Sequence, residues 1–238
     1  MSMNQSATLA PPLFLPGLLC DQTIWAAQVE AMAALDPVVA SYGLSRSLQD
    51  MARLALDVAP PMFSLVGHSM GARVALEIVR MAPERVARLA LLDTGVHPAQ
   101  PGEADKRYAL LDLGKREGID QMVEAWLPPM VHPGRQTDEA LMGPLHAMAT
   151  SMGLAVFEAQ IAALLGRPDA TPLLSRITVP TLVGVGRQDV WSPLAQHEAI
   201  AARLPGSRLT IFEDSGHMSP VEAPEQVTAA LLAWLAWT

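Results

Sequence analysis

The chain has 238 residues, half of them hydrophobic and 17% charged, so it can bury a full core and shows no bias toward disorder. Its formal net charge of −8 argues against nucleic acid or an anionic membrane as a partner, because both attract Lys and Arg. The single cysteine, Cys20, excludes an internal disulfide and fits a reducing compartment. No uninterrupted apolar run approaches the roughly 18 residues that span a bilayer, so we expect a cytoplasmic protein.

Short apolar runs alternate with segments of helical spacing through the first part of the chain. The apolar runs, which predict strands, cover residues 13–15, 38–42, 62–66 and 86–92. The segments between them, which predict helices, cover residues 25–35, 48–59 and 72–82. This alternation is typical of an α/β fold, in which helices cover both faces of a parallel sheet.

The alternation stops between residues 97 and 176 and then resumes. Four segments of helical spacing and no strand fall in this gap, at residues 103–117, 119–126, 137–152 and 154–165. Helices inserted between two strands of a parallel sheet predict a cap over its carboxyl edge. Strands are predicted again at 179–185 and 208–212. We therefore expect a core made of residues 1–96 and 177–238, with a helical cap inserted at 97–176.

The joint between the third strand and its helix reads Gly67-His68-Ser69-Met70-Gly71. A strand that turns sharply into a helix exposes the central serine hydroxyl, and glycine two positions away on each side avoids collisions across the turn. This pattern indicates a nucleophile elbow with Ser69 as the nucleophile. The simpler alternative is a glycine-rich turn with no catalytic role.

A serine nucleophile needs a base and a carboxylate that orients it. His217 follows the last predicted strand, at the sheet edge where catalytic groups collect, and is the predicted base. Asp189 directly follows the strand at 179–185 and is the predicted acid, with Asp93, after the strand at 86–92, as its rival. The chain order Ser69, Asp189, His217 is that of the α/β-hydrolases.

Three segments carry a resemblance to a known family along essentially the whole chain: G-H-S-M-G, P-T-L-V-G-V-G-R-Q-D and D-S-G-H-M-S-P-V-E-A-P-E. They resemble the small capped serine esterases, enol-lactonases and carbon–carbon bond hydrolases of the α/β-hydrolase superfamily. The resemblance implies an oxyanion hole made by the backbone N–H groups of Met70 and Leu18. The loop of Leu18 reads Pro-Gly-Leu where the family usually has His-Gly.

The family often begins with two further strands, and eleven residues before Pro12 are too few to form them. We therefore expect a mostly parallel sheet of about six strands. No cofactor and no metal are expected, since no residue spacing indicates a metal site and Gly184-Val185-Gly186 lacks the third glycine of a dinucleotide fingerprint.

The inserted region is rich in methionine and bulky apolar residues, which adapt to apolar ligands. We expect Trp126, Met130, Met148 and Met152 to contact the substrate. The resemblance implies two-step acyl transfer, and we predict a carboxylesterase that cleaves a small to medium apolar ester. Carbon–carbon bond, enol-lactone and thioester hydrolysis stay open within the same fold, and a ligand-binding receptor is the alternative from another class.

Overall fold

The computed structural model describes residues 9–237. Six parallel strands form one sheet in the order β2-β1-β3-β4-β5-β6. The strands are β1 Pro12–Leu15, β2 Val38–Val39, β3 Phe63–His68, β4 Val86–Leu92, β5 Thr181–Gly186 and β6 Arg208–Phe212. The α/β fold with a six-stranded parallel sheet is thus confirmed. The expected absence of two further strands before Pro12 concerns mainly residues 1–8, which lie outside the described residues.

The strands are buried in the way that a sheet covered on both faces requires. Every residue of β1, β3 and β5 is buried, which explains why these strands are continuous apolar runs. The edge strand β2 has two residues, fewer than the predicted 38–42. The chain leaves the sheet after Val39, and the Tyr42 hydroxyl instead donates a hydrogen bond to the Pro16 carbonyl, 3.2 Å away.

Ten α-helices occur within residues 9–237. They are α1 Ala26–Ala31, α2 Leu48–Val58, α3 Met70–Met81, α4 Glu103–Glu117, α5 Ile119–Trp126, α6 Glu139–Leu165, α7 Thr171–Leu174, α8 Leu194–Ala201, α9 Ser219–Glu222 and α10 Pro224–Leu235. Helices α4 to α7 all lie between β4 and β5 in the chain, and we call them the inserted helices. The division into a core and a cap at residues 97 and 176 stays a prediction, which this order of elements supports.

Helix α6 contains the two helices that were predicted at 137–152 and 154–165. Gly153 separates them with a non-helical backbone (φ 81°, ψ 165°). By length and composition alone, α6 is also the one helix in the described part of the chain that could cross a membrane. However, 44% of its most apolar window is buried inside the protein. Burial and a break at Gly153 are typical of a core helix, so its length is weak support for a membrane span.

The turn from β3 to α3 depends on two glycines. A Cβ atom on Gly71 would lie 2.0 Å from the Leu15 carbonyl oxygen, and one on Gly67 would lie 2.5 Å from the Ala72 Cα. Both neighbours are backbone atoms, which cannot rotate away. Glycine is therefore required at Gly67 because β3 and α3 approach closely across the turn, and at Gly71 because α3 approaches the end of β1.

We expect Gly71→Ala to lower the free energy of unfolding by about 3 kcal/mol or more, because β1 and α3 must move apart to admit the methyl group. Urea denaturation measures the change. The matched control is Gly143→Ala within α6, where no atom beyond the adjacent residues and the helix backbone lies within 4 Å of the added Cβ. Alanine there should change the free energy of unfolding by no more than about 1 kcal/mol, because its helix propensity favours the helix and the ring of the following Pro144 opposes it. Similar effects of the two substitutions would contradict this account of the turn.

Candidate active site

Ser69 stands at the turn between β3 and α3 with a strained backbone (φ 54°, ψ −117°). A non-glycine residue in this region costs about 1–3 kcal/mol and persists where the surrounding structure imposes it. The Ser69 Oγ donates a hydrogen bond to His217 Nε2 at 2.8 Å. The serine is thus half-buried at the elbow and already paired with a base.

The other ring nitrogen of His217 contacts the predicted acid. His217 Nδ1 donates to Asp189 Oδ2 at 2.8 Å, and Asp189 Oδ1 accepts from the backbone amides of Trp191 and Ser192, each at 2.8 Å. Because both carboxylate oxygens are occupied, the acid is fixed in one orientation. The structure therefore brings Ser69, His217 and Asp189 together in one hydrogen-bonded chain.

The electrostatics of this hydrogen-bonded chain make the His217 imidazole a stronger base. Burial lowers the pKa of the His217 imidazole, but the charge of Asp189 and its hydrogen bond outweigh burial, and the pKa lies above its ordinary value. Burial also acts to raise the pKa of Asp189, but the charge of His217 and the hydrogen bonds from His217 and the backbone amides outweigh burial. The pKa of Asp189 therefore lies below its ordinary value. Asp189 is therefore ionised when His217 accepts a proton.

The rival acid, Asp93, is buried and bonded elsewhere. Asp93 Oδ1 accepts from the Gly186 amide at 2.9 Å, and Oδ2 accepts from the Ser219 hydroxyl. Burial and the nearby charge of Asp189 hold its pKa well above the usual range. Asp93 therefore links the end of β5 to α9, and the carboxylate that contacts His217 is that of Asp189.

Sequence reasoning did not identify the role of Glu222, whose spacing from Ser219 suggests only a helix cap. Glu222 Oε1 accepts from the amides of Gly216 and Met218, both at 3.0 Å, and Oε2 accepts from the His132 amide at 2.7 Å. Gly216 and Met218 flank His217 in the chain. A buried carboxylate thus holds the loop of the predicted base and ties it to the segment that precedes α6.

Two backbone hydrogen bonds fix His217 itself. Its amide donates to the Met130 carbonyl at 2.7 Å, and its carbonyl lies 2.7 Å from His68 Nε2. Since a carbonyl only accepts, His68 carries its proton on Nε2. Burial lowers the pKa of His68 to about 3, so the ring stays neutral. His68, which neighbours Ser69 in the chain, therefore positions the base through its backbone.

The predicted oxyanion donors, Leu18 and Met70, both line the cavity above Ser69. Neither amide donates to another group within residues 9–237. The next amide in the loop, that of Leu19, donates to Gln160 Oε1 on α6 at 2.8 Å. Gln160 is buried, so an inserted helix holds the loop that carries the Leu18 amide.

A cavity of about 250 Å³ opens beside Ser69 and His217. Its apolar side includes the predicted residues Trp126 and Met130, together with Leu110, Phe157 and Leu164. Met148 and Met152 are not among the described residues that line it, so their contact with substrate stays a prediction, which this cavity does not support. Both precede Gly153 in α6, whereas the lining residues Phe157 and Leu164 follow that break.

The lining of the cavity also carries charges, which the sequence did not reveal. Glu103 accepts from Arg167 at 2.6 Å through both carboxylate oxygens, and from Arg107 Nε at 2.9 Å. Arg73 and Lys106 line the same cavity. Burial raises the pKa of Glu103, but the hydrogen bonds that it accepts outweigh burial and lower the pKa to about 2. These residues come from α3, α4 and the segment after α6, so no local pattern marks them.

Comparison with known proteins agrees with this geometry. The sequence profile described as "Alpha/beta hydrolase family" matches residues 13–231. A putative carbamate hydrolase RutD from Rhizobium rhizogenes is 26% identical, over 92% of this chain and 90% of its own. A thermophilic esterase from Thermogutta terrifontis, solved with malate bound, is 28% identical with a TM-score of 0.82, covering 95% and 89% of the two chains.

An enol-lactonase from Burkholderia xenovorans LB400 has the same fold, with a TM-score of 0.82 at 22% identity over 96% of this chain and 92% of that one. The chain belongs to the alpha/beta hydrolase family and is a hydrolase. The resemblance expected from the three sequence segments is thereby confirmed.

We expect Glu222→Gln to lower the free energy of unfolding by about 2 kcal/mol, because the amide turns an N–H donor toward one of the three backbone N–H groups that the carboxylate satisfies. Chemical denaturation measures the change. The control is Glu225→Gln, an exposed acid in the next helix, with an expected change within about 0.5 kcal/mol. Equal effects would show that the contacts of Glu222 add no stability.

Proposed function

We propose that the protein is a serine carboxylester hydrolase, with Ser69 as the nucleophile, His217 as the general base and Asp189 as the residue that orients His217. The observation that carries the proposal is the continuous hydrogen-bonded chain from Ser69 Oγ through the imidazole to Asp189, with 2.8 Å at each step. The Ser69 end of this hydrogen-bonded chain lies at a cavity large enough for a small ester. Such a chain is what activation of a serine hydroxyl requires.

The chemistry proceeds in two halves. His217 Nε2 takes the Ser69 proton as Oγ attacks the ester carbonyl, and the oxyanion accepts hydrogen bonds from the amides of Leu18 and Met70. His217 then gives this proton to the departing alcohol, which leaves an acyl group on Ser69. A water molecule, deprotonated by the same nitrogen, attacks the acyl carbonyl and releases the acid.

The apolar side of the cavity supports a small to medium substrate with an apolar part. Trp126, Met130 and Phe157 provide this surface, and the two bulky aromatic side chains limit its length. The substrate is a small molecule, and we keep a cytoplasmic location and the absence of a nucleic-acid, membrane or cofactor partner as predictions.

Carbamate hydrolysis is the second candidate, because the relative from Rhizobium rhizogenes is named a putative carbamate hydrolase. The same three side chains would attack a carbamate carbonyl, as they would an enol-lactone, a thioester or a carbon–carbon bond next to a ketone. A panel of esters, thioesters, lactones and carbamates of graded length separates these reactions by kcat/KM. Catalytic turnover of none of them would favour the ligand-binding receptor.

We expect Ser69→Ala to lower kcat for a p-nitrophenyl ester about 1000-fold or more without unfolding, because the acyl-enzyme cannot form. A fluorophosphonate probe should label the wild type once per chain and the variant not at all, as measured by mass spectrometry. The control is Ser192→Ala, which removes the second serine hydroxyl that lines the cavity and keeps the amide that binds Asp189. Labelling of Ser69→Ala would refute the assignment.

Activity should depend on pH through His217. A general base works only when it is deprotonated, and the pKa of His217 lies above its ordinary value of 6.5. The kcat/KM value should therefore fall as the pH decreases, with a midpoint above pH 6.5. In Asp189→Asn the residual activity should show a lower midpoint, since the charge that most favours the protonated ring is lost. An unchanged midpoint would contradict the role of Asp189.

A further inference from the structure

Arg73 stands one helical turn after Ser69 on α3 and lines the same cavity. Its Nη1 donates to the His97 carbonyl at 2.9 Å. No carboxylate of residues 9–237 lies within 4.0 Å of its guanidinium. The side chain is half-buried, so it gives up part of its hydration without gaining a counter-charge.

The neighbouring carboxylate is already used. Glu103 binds Arg167 through two hydrogen bonds of 2.6 Å and also binds Arg107, and it acts on Arg73 through its charge without a direct ion pair. Burial, and then the charge of Arg167, lower the pKa of Arg73 to about 9, which still leaves it cationic at neutral pH. Lys106 adds a further positive charge to the lining.

The lining of the cavity therefore carries four cations and one carboxylate, in a protein whose net charge is −8. A local excess of positive charge next to Ser69 attracts an anionic ligand. The planar fork of a guanidinium matches the two oxygens of a carboxylate. The one guanidinium of the lining without a carboxylate partner among the described residues, that of Arg73, therefore fits one carboxylate group of a ligand.

We propose that the substrate carries a carboxylate remote from its scissile carbonyl and that Arg73 binds it. This inference rests on the proposed ester hydrolysis and adds a substrate class to it. Residues 69 and 73 are about 6 Å apart along the helix axis, which is comparable to the length of a spacer of roughly three to five carbon atoms. The apolar wall formed by Trp126, Met130 and Phe157 then contacts the spacer.

The test compares acids with their neutral amides of the same shape. One pair is monomethyl adipate and the methyl ester of adipic monoamide, which places the charge on the acyl side. The other is 5-acetoxypentanoate and its amide, which places the charge on the alcohol side. A pH-stat at neutral pH measures kcat/KM for each, and we expect the acid of at least one pair to exceed its amide by about 10- to 100-fold.

Arg73→Gln should lower this acid-to-amide ratio to about one, and Arg73→Lys, which keeps the charge and loses the fork, should retain part of it. The matched control is Arg80→Gln, two turns further along α3, where the exposed side chain pairs with Glu77. It should leave the ratio unchanged. If Arg73→Gln does not fold, the wild-type ratio and the Arg73→Lys variant still decide the question.

Calorimetric titration of Ser69→Ala with monomethyl adipate and with the methyl ester of adipic monoamide gives a readout that needs no turnover. The acid should bind about tenfold or more tightly than the neutral amide, and adding Arg73→Lys to Ser69→Ala should weaken the acid alone. If the wild type hydrolyses no ester but the acid binds in this way, the proposed hydrolysis fails and the carboxylate site stands. Hydrolysis with acid-to-amide ratios near one in both pairs, and no preference for the acid in the titration, would overturn the carboxylate site.

Discussion

Hydrogen bonds from four separate segments of the chain hold His217, through its ring, its backbone and the two adjacent residues. Asp189, after β5, binds the ring, and His68, at the end of β3, binds the carbonyl. The carbonyl of Met130 accepts from the amide, and Glu222 holds the residues on either side. His217 lies in a loop with no helix or strand of its own, so its orientation toward Ser69 exists only when all four segments are folded.

The cavity combines two surfaces of opposite character above one serine. Apolar side chains from α5 and α6 and cations from α3, α4 and the segment after α6 line the same space. Two of the cations, Arg107 and Arg167, bind Glu103, and the bond to Arg167 links the two ends of the inserted region. The inserted helices therefore supply most of the surface that distinguishes one substrate from another, while the sheet supplies the reacting groups.

Much of the fold could be predicted from the sequence because its signals are local. Continuous apolar runs mark the buried strands, and the tight turn at Ser69 needs glycine within two positions on either side. Asp189 and His217 were candidates because each follows a strand, and carboxyl ends of parallel strands meet at one edge. The structure brings these three residues into hydrogen-bond distance.

The features that sequence reasoning missed depend on contacts between distant residues. Arg73, Glu103 and Arg167 are far apart in the chain, and each alone has the pattern of a surface charge. Met148 is as suitable for the cavity as Met130 by residue type, because nothing in the helical spacing shows that only residues of α6 after Gly153 line the cavity. A side chain's direction after such a break follows from tertiary packing, which periodicity does not describe.

The hydrogen bond from the Leu19 amide to Gln160 couples the inserted helices to the oxyanion loop. The loop carrying the Leu18 amide is held by α6, and the His217 amide is held by the segment before α6. If the inserted helices moved away from the sheet, the Leu19–Gln160 and His217–Met130 hydrogen bonds would break together. An open conformation of this kind would therefore lack the arrangement needed for catalysis. Trp191 lines the cavity beside Ser69 and is 43% exposed, so the cavity already reaches the surface of the protein with both hydrogen bonds in place.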